Sequence, residues 1–382
     1  MKKALAAFLT AAMTVTTLTG CLGSSVSAPT TAAPAESTAA ETSAAAEGAA
    51  TEAASSVNLD NIGEHTFSLS TTATAGSALA DVAHHFADKV SELSGGKMTV
   101  DVFEGSSLGS EAQNLEALTA GTLDMAIIAV EFYTNSIPQL GALILPYVYE
   151  DYDQVEKVLE SEAGQYANQQ LLDVAKVKNL GYYVMAFRNM YMTKPIETAD
   201  DLAGLKIRVP ESTLYVNTFK MLGAAPTPLA MGEVYTAIDT GVVDGMENTP
   251  DTCLHNSFFE VAPYFNMTNH LNAPTTISMS DKVFSALNED EQQILIEAGL
   301  DTSHFGLEST KASDEANRET LKEKGRISGH ISLTSFESGI SPTELAIKSV
   351  APTGGVIPPK IKVNTMTMPK WMESKPSAAA SG

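Results

Sequence analysis

Residues 67–130 open with Phe67-Ser68-Leu69-Ser70 and close with Met125-Ala126-Ile127-Ile128-Ala129-Val130, and the pattern between those ends decides the fold. Phe67 and Leu69 alternate with serines, as a half-buried strand does. Leu79, Val82, Phe86, Val90 and Leu93 then recur at helical spacing, and Gly95-Gly96 stops that helix. Met98, Val100 and Val102 alternate again. Ala112, Leu115 and Leu118 mark a second helix that ends near Gly121, and 125–130 is a short continuous apolar strand. The order β-α-β-α-β is the unit of a parallel sheet covered by helices.

A second run of the same kind lies downstream. Leu180 to Phe187 and Leu205 to Val209 read as strands, Ser212 to Leu222 as a helix and Thr227 to Ala230 as a short strand. Glu233 to Thr240 reads as a helix closed by Gly241, and Val242 to Met246 as a strand. Two α/β units joined by crossing segments predict two lobes with a cleft between them. The Glu-, Lys-, Leu- and Ala-rich stretch from Asn288 to Lys324 predicts a long helix lying across both.

The start of the chain fixes a compartment. Lys2 and Lys3 precede an uncharged stretch, Ala4 to Thr17, and then Leu18-Thr19-Gly20-Cys21. This is the make-up of a secretion signal and is too short for a membrane span. The Leu-x-Gly-Cys ending resembles the lipobox of bacterial lipoproteins, which implies cleavage before Cys21 and diacylation of its thiol; an ordinary signal peptide with a chance cysteine is the alternative. Residues 22–56 are almost entirely Ala, Ser, Thr, Glu, Pro and Gly, without an aromatic side chain. Such a segment cannot offset its ordering entropy and reads as a flexible tether reaching roughly 30 Å. An acyl anchor would hold the protein at a membrane surface without spanning it.

Composition excludes several functions. The net charge of −23 argues against nucleic acid or an anionic membrane surface as partner. The two cysteines, Cys21 and Cys253, offer no disulfide framework and no zinc spacing, so Cys253 reads as a packed residue. Phosphate-loop, metalloprotease and nucleophile-elbow motifs are missing, and the seven histidines are dispersed. His84 and His85 are adjacent and point to different helix faces, unlike a metal pair. The chain therefore reads as a binding protein, not an enzyme, with no cofactor or metal.

Ligands of open α/β sheets sit at the carboxyl ends of strands, beside the starts of following helices. Arg208 ends such a strand just before Pro210 and a helix, where a guanidinium and free N–H groups both attract a carboxylate. Asn248 takes the matching place one strand later, and Arg188 follows the strand read as ending at Phe187. Each is equally compatible with an ordinary surface or ion-pair role.

Longer motifs change that weighting. Phe187-Arg188-Asn189-Met190, Asp201-Leu202-Ala203-Gly204-Leu205-Lys206-Ile207-Arg208-Val209-Pro210 and Gly241-Val242-Val243-Asp244-Gly245-Met246-Glu247-Asn248 resemble the solute-binding proteins of TRAP transporters, the DctP family. Leu222-Gly223-Ala224-Ala225-Pro226-Thr227-Pro228, Glu233-Val234-Tyr235 and Gly121-Thr122-Leu123-Asp124-Met125-Ala126 fit as well, so the likeness runs from about Glu64 to Gly325. The resemblance implies a two-lobed, periplasmic-binding-protein-like α/β fold that closes on its ligand. It also implies that Arg208 grips a substrate carboxylate, that Arg188 supports it and that Asn248 lines the cleft. It implies an extracytoplasmic monomer that delivers a small organic acid (a uronate, a sialic acid or a C4-dicarboxylate) to TRAP permease membrane subunits.

The resemblance divides the chain into a signal peptide (1–20), a lipidated cysteine with linker (21–57) and two lobes. One lobe takes 64–185 with about 274–310, the other 186–273 with about 311–325. Met231 stands where many relatives carry an aromatic residue. The loop Thr72 to Ser77 lacks the His or Asn many relatives place there. Glu131, just after a strand, either reads polar groups of the ligand or is an exposed carboxylate. Residues 326–382 show no sustained period and form an atypical tail, either a natural variant or the product of a reading-frame shift near Lys324-Gly325. A ligand-sensing lipoprotein of the same fold is the second reading, and a cleft hydrolase or lyase the third.

Overall fold

The computed structural model describes residues 57–330. The expected signal segment, Cys21, the linker to residue 56 and the tail beyond residue 330 lie outside the described residues. In chain order the first part runs β1 (His65–Ser70), α1 (Ala78–Leu93), β2 (Met98–Phe103), α2 (Glu111–Ala120), β3 (Met125–Ala129) and α3 (Val130–Tyr133). It continues with α4 (Tyr152–Glu160), α5 (Glu162–Gln170) and β4 (Val177–Tyr183). Phe67 and Leu69 of β1 are buried as their alternation predicts. Ser77 caps α1 by accepting the Ala80 N–H. Gly95 and Gly96 take φ of 64° and 82°, a left-handed turn that a side chain would strain, and so end α1.

The chain then builds a second sheet. Its elements are β5 (Arg188–Met192), β6 (Lys206–Val209), α6 (Thr213–Met221), β7 (Ala225–Pro228), α7 (Val234–Asp239) and β8 (Gly245–Asn248). They are followed by α8 (Pro250–His255), α9 (Phe258–Val261) and β9 (Tyr264–Leu271). The last strand of the first sheet, β10 (Thr275–Ser280), comes next, with α10 (Asp281–Phe284), α11 (Glu289–Lys324) and β11 (Arg326–His330). The strand orders are β2-β1-β3-β10-β4 and β11-β9-β5-β8-β6-β7.

Both sheets are mixed. β1, β2 and β3 pair in parallel as the β-α-β-α-β pattern predicts, but β10 lies antiparallel between β3 and β4. In the second sheet β6 is parallel to β7 and β8, while β5 is antiparallel to β8 and β9. The chain thus crosses between sheets three times, after β4, after β9 and after β10. The sequence places Arg188 just past a strand ending at Phe187; in the structure that strand ends at Tyr183, and Arg188 opens β5 in the other sheet. The apolar run from Leu180 to Met192 is buried throughout most of its length and carries no break to mark the crossing.

β7 and β8 are displaced from their sequence reading by two to three residues. β7 begins at Ala225 and contains Pro226 and Pro228, tolerated because it is the end strand of its sheet. The sequence predicts no regular element after Gly325, yet β11 continues the second sheet by pairing in parallel with β9.

The 36-residue α11 is about 54 Å long at 1.5 Å per residue. Asn288 and Glu291 form its capping box, acidic residues fill its first turn, and Lys322 and Lys324 sit in its last, all favourable to the helix dipole. Ile294, Leu295 and Ala298 pack with Phe67, Leu69, Phe86 and Val90 into the core over the first sheet. Among the described residues no helix is long and apolar enough to cross a membrane.

The approach of α11 to β4 is close enough to exclude side chains. A Cβ on Gly299 would lie 2.2 Å from the Leu180 carbonyl oxygen, and one on Gly181 would lie 2.3 Å from that of Gly299. Gly299→Ala gains about 1 kcal/mol of helix propensity, but forcing backbone apart costs more. We expect a net loss of about 2 kcal/mol, read as a lower melting temperature. Gly232→Ala, whose Cβ would meet nothing within 4 Å, should leave the melting temperature unchanged.

Candidate functional site

The carboxyl ends of β3, β6 and β8 converge on one cleft, partly open to solvent. Arg188, Arg208, Asn248, Met231 and Glu131 all line it, so five sequence-selected side chains meet in one place. Cys21 lies outside the described residues.

Arg208 is 2% exposed although it carries a full charge. Its Nε and Nη2 donate to the Leu229 carbonyl at 3.0 and 2.7 Å, just beyond the end of β7. Nη1 is buried with no hydrogen-bond partner among the described residues. Burial lowers the guanidinium pKa to about 10, against the pull of Glu247 and the other acidic groups. It remains a cation at neutral pH.

Arg188 is held differently. Its Nε donates to Glu247 Oε2 at 2.6 Å and its Nη2 to Glu247 Oε1 at 2.8 Å, a two-pronged pair. Nη2 also reaches the Glu247 carbonyl at 3.0 Å, and the guanidinium lies over the Tyr215 ring. Glu247 is 0% exposed and its Oε2 lies 3.3 Å from His270 Nε2. Burial alone would raise the Glu247 carboxyl, but Arg188 and His270 outweigh it and hold it below the ordinary range. The same pairing raises Arg188 despite its burial.

Two carboxyls face these cations from the first sheet. Glu131 is 1% exposed, which removes the exposed-carboxylate alternative. Its Oε1 lies 3.8 Å from Arg188 Nη1, and its buried Oε2 has no hydrogen-bond partner among the described residues. Burial raises its pKa, with Arg188 opposing. Glu111, in the first turn of α2, accepts the Ala129 N–H at 3.0 Å. Burial, reinforced by Glu131, pushes its pKa up to about 8. Near pH 7 Glu111 therefore carries a proton and adds no charge to the cleft.

Asn248 ends β8 and its Oδ1 accepts the Thr249 N–H at 2.8 Å. Met231 is half-buried in the turn before α7. Sequence reasoning gave no role to Glu247, His270, Tyr215 or Glu111. Glu247 sits inside the run quoted for Asn248, and Glu111 follows the capping Ser110, so neither carries a local signal of its place in the cleft.

The loop Thr72 to Ser77 reaches the cleft through Thr72, Ala73, Thr74 and Ser77. Cys253 is buried on α8, where desolvation raises its thiol well above the usual range. His84 and His85 contact different carboxylates, Glu104 and Asp301. Among the described residues no group of His, Cys, Asp and Glu is arranged to hold a metal ion.

The model of bacterial extracellular solute-binding protein, family 7 (DctP), matches residues 69–337. A solute-binding protein of Roseobacter denitrificans (strain ATCC 33942 / OCh 114) is 30% identical over 283 residues, which is 74% of this chain and 87% of the relative. The crystal structure of a TRAP periplasmic solute binding protein from Roseobacter denitrificans OCh 114 with bound L-galactonate has a TM-score of 0.70 at 29% identity. It covers 76% of this chain and 94% of that one. The TRAP periplasmic solute binding protein from Sulfitobacter sp. NAS-14.1 with bound β-D-galacturonate has a TM-score of 0.68 at 27% identity, covering 75% and 92%. A family match over well over half of the chain, on a fold with two mixed sheets and a charged cleft between them, makes this protein a member of the DctP family of bacterial extracellular solute-binding proteins.

Proposed function

We propose that this chain captures a sugar-type monocarboxylate outside the cytoplasm and delivers it to TRAP-type membrane subunits, while tethered to the membrane by a lipid on Cys21. The observation that carries the ligand class is Arg208, a buried cation with an unpartnered Nη1 in the cleft and no ion-pair partner among the described residues. A carboxylate supplies both the opposite charge and the missing acceptor. Arg188 has its own carboxylate, so its part is to shape the site through Glu247, with only Nη1 directed elsewhere. Asn248 and Met231 line the wall beside the ligand.

Glu131 favours hydroxyl groups on the ligand, because its buried Oε2 has no hydrogen-bond partner among the described residues and accepts from O–H. L-Galactonate and β-D-galacturonate, the ligands named for two similar structures, have this chemistry. Both support a sugar acid over a C4-dicarboxylate.

Three outcomes test this reading. By calorimetry with D-galacturonate and L-galactonate, Arg208→Ala is expected to weaken binding at least about 30-fold, since removing one partner of a buried charge pair costs 2 kcal/mol or more. Unchanged affinity would exclude Arg208 as the carboxylate anchor. Affinity should also fall as pH rises from 7 to 9, because a Glu111 carboxyl with a pKa of about 8 ionises there and adds a negative charge facing the ligand. Glu111→Gln should flatten that profile. Finally, Cys21→Ser should move the protein from the membrane fraction to the soluble extracytoplasmic fraction, leaving affinity intact.

A further inference from the structure

The two sheets are joined across the cleft by contacts that cap each other's helices. Asn135 follows α3 of the first sheet, and its Oδ1 accepts the Thr213 N–H at 3.0 Å while its Nδ2 donates to the Glu211 carbonyl at 2.9 Å. Thr213 is the first residue of α6 in the other lobe, and the N-cap Ser212 makes no capping bond of its own. Instead Ser212 Oγ lies 3.3 Å from Thr134 Oγ1. A helix start leaves its first N–H groups without intrahelical acceptors. Here the other lobe supplies one.

The reverse contact also exists. Asp251 of α8, in the second lobe, accepts the N–H of Ala78, the first residue of α1, at 3.2 Å on Oδ2. A carboxylate at the start of a 16-residue helix is favoured by the helix dipole as well. Its Oδ1 lies 3.2 Å from His255 Nδ1 and 3.5 Å from Asn317 Nδ2 of α11, which hold the carboxylate in place. Beside it, Thr74 Oγ1 donates to Asn256 Oδ1 at 2.8 Å. Opening the cleft must break all of these at once.

We propose that Asn135 and Asp251 form a reciprocal pair of interlobe caps that hold the cleft shut and set how fast a bound acid leaves. The proposal rests on the reading of this cleft as the ligand site. Ligand enters the open form, so the caps act after encounter: they slow release and leave association almost unchanged. Water replaces each contact on opening, so each is worth the net value of a hydrogen bond in water. That corresponds to a factor of about 3 to 10 in the opening equilibrium. The two act on one equilibrium and their effects multiply.

Stopped-flow kinetics with D-galacturonate on the full chain tests this. Asn135→Ala and Asp251→Ala should each raise the dissociation rate about 3- to 10-fold with the association rate within twofold of the parent, and the double variant should approach the product. Asp251→Asn keeps an oxygen acceptor for the Ala78 N–H and should recover most of the loss. A merely structural role predicts no such split and no such recovery. Dissociation rates within twofold of the parent in both alanine variants would overturn the caps, even if Arg208→Ala abolishes binding as the cleft reading requires.

If the parent binds no sugar acid, the ligand reading fails separately, and the caps are judged by spin-label distances. Labels at the exposed positions Asp101 and Asp239, one on each lobe, should report longer and broader distances in the double cap variant. Distributions identical to the parent overturn the proposal.

Discussion

A guanidinium buried without a carboxylate is the constraint to which the rest of the cleft is fitted. Moving a charge out of water is costly unless polar groups replace the lost hydration. At Arg208 the Leu229 carbonyl accepts from two of its nitrogens, and the third, Nη1, has no such acceptor. The parallel register of β6 with β7 brings the chain to Leu229, one residue past the last ladder pair, Val209 with Pro228. An ammonium could not use this arrangement, because it lacks the planar fork that accommodates one acceptor on one side and a second on the other. The unmet donor is a local defect in the free fold, and such defects concentrate where a fold serves a ligand.

The two arginines divide the work. Arg188 commits Nε and Nη2 to Glu247, and Glu247 is further fixed by His270, whose Nδ1 lies 2.9 Å from Thr268 Oγ1. That network spans β5, β8 and β9, so it ties three neighbouring strands of the second sheet together behind the cleft. A buried pair of this kind contributes little net stability, but removing either partner leaves an uncompensated charge. Its consequence for the site is geometric. With Arg188 paired from behind, Arg208 is left as the cleft's cation without an ion-pair partner among the described residues.

Much of this was legible in the residues, and the remainder was not for identifiable reasons. Phe67, Leu69, Val82, Phe86 and Val90 fell where their periods placed them, because each element buries one face only. Arg208, Asn248, Arg188, Met231 and Glu131 converge because strand ends of α/β sheets converge, a rule of topology that sequence order exposes. The crossing between β4 and β5 was hidden, since both strands are buried on both faces and no turn residue separates them. The antiparallel insertion of β10 was hidden as well, because its partners lie about 150 and 100 residues earlier in the chain. Burial of Glu131 and partial burial of Glu111 depend on the same long-range pairing, so a local reading had no means to separate them from surface carboxylates.

The chain carries a net charge of −23 and still presents an anion site, and the two facts are compatible because they act over different distances. Surface carboxylates repel an approaching acid, but salt reduces that repulsion beyond about 8–10 Å. Inside the cleft the dielectric is lower and the nearest charges dominate. There Glu247 and Glu131 both face Arg188, and Glu111 is held protonated near neutral pH by desolvation, so these groups outweigh the distant surface charges. Net charge therefore bears on the rate of encounter, whereas an acid inside the cleft meets a guanidinium whose Nη1 has no acceptor among the described residues. That separation explains how an acidic protein holds an acidic ligand without a basic surface to attract it.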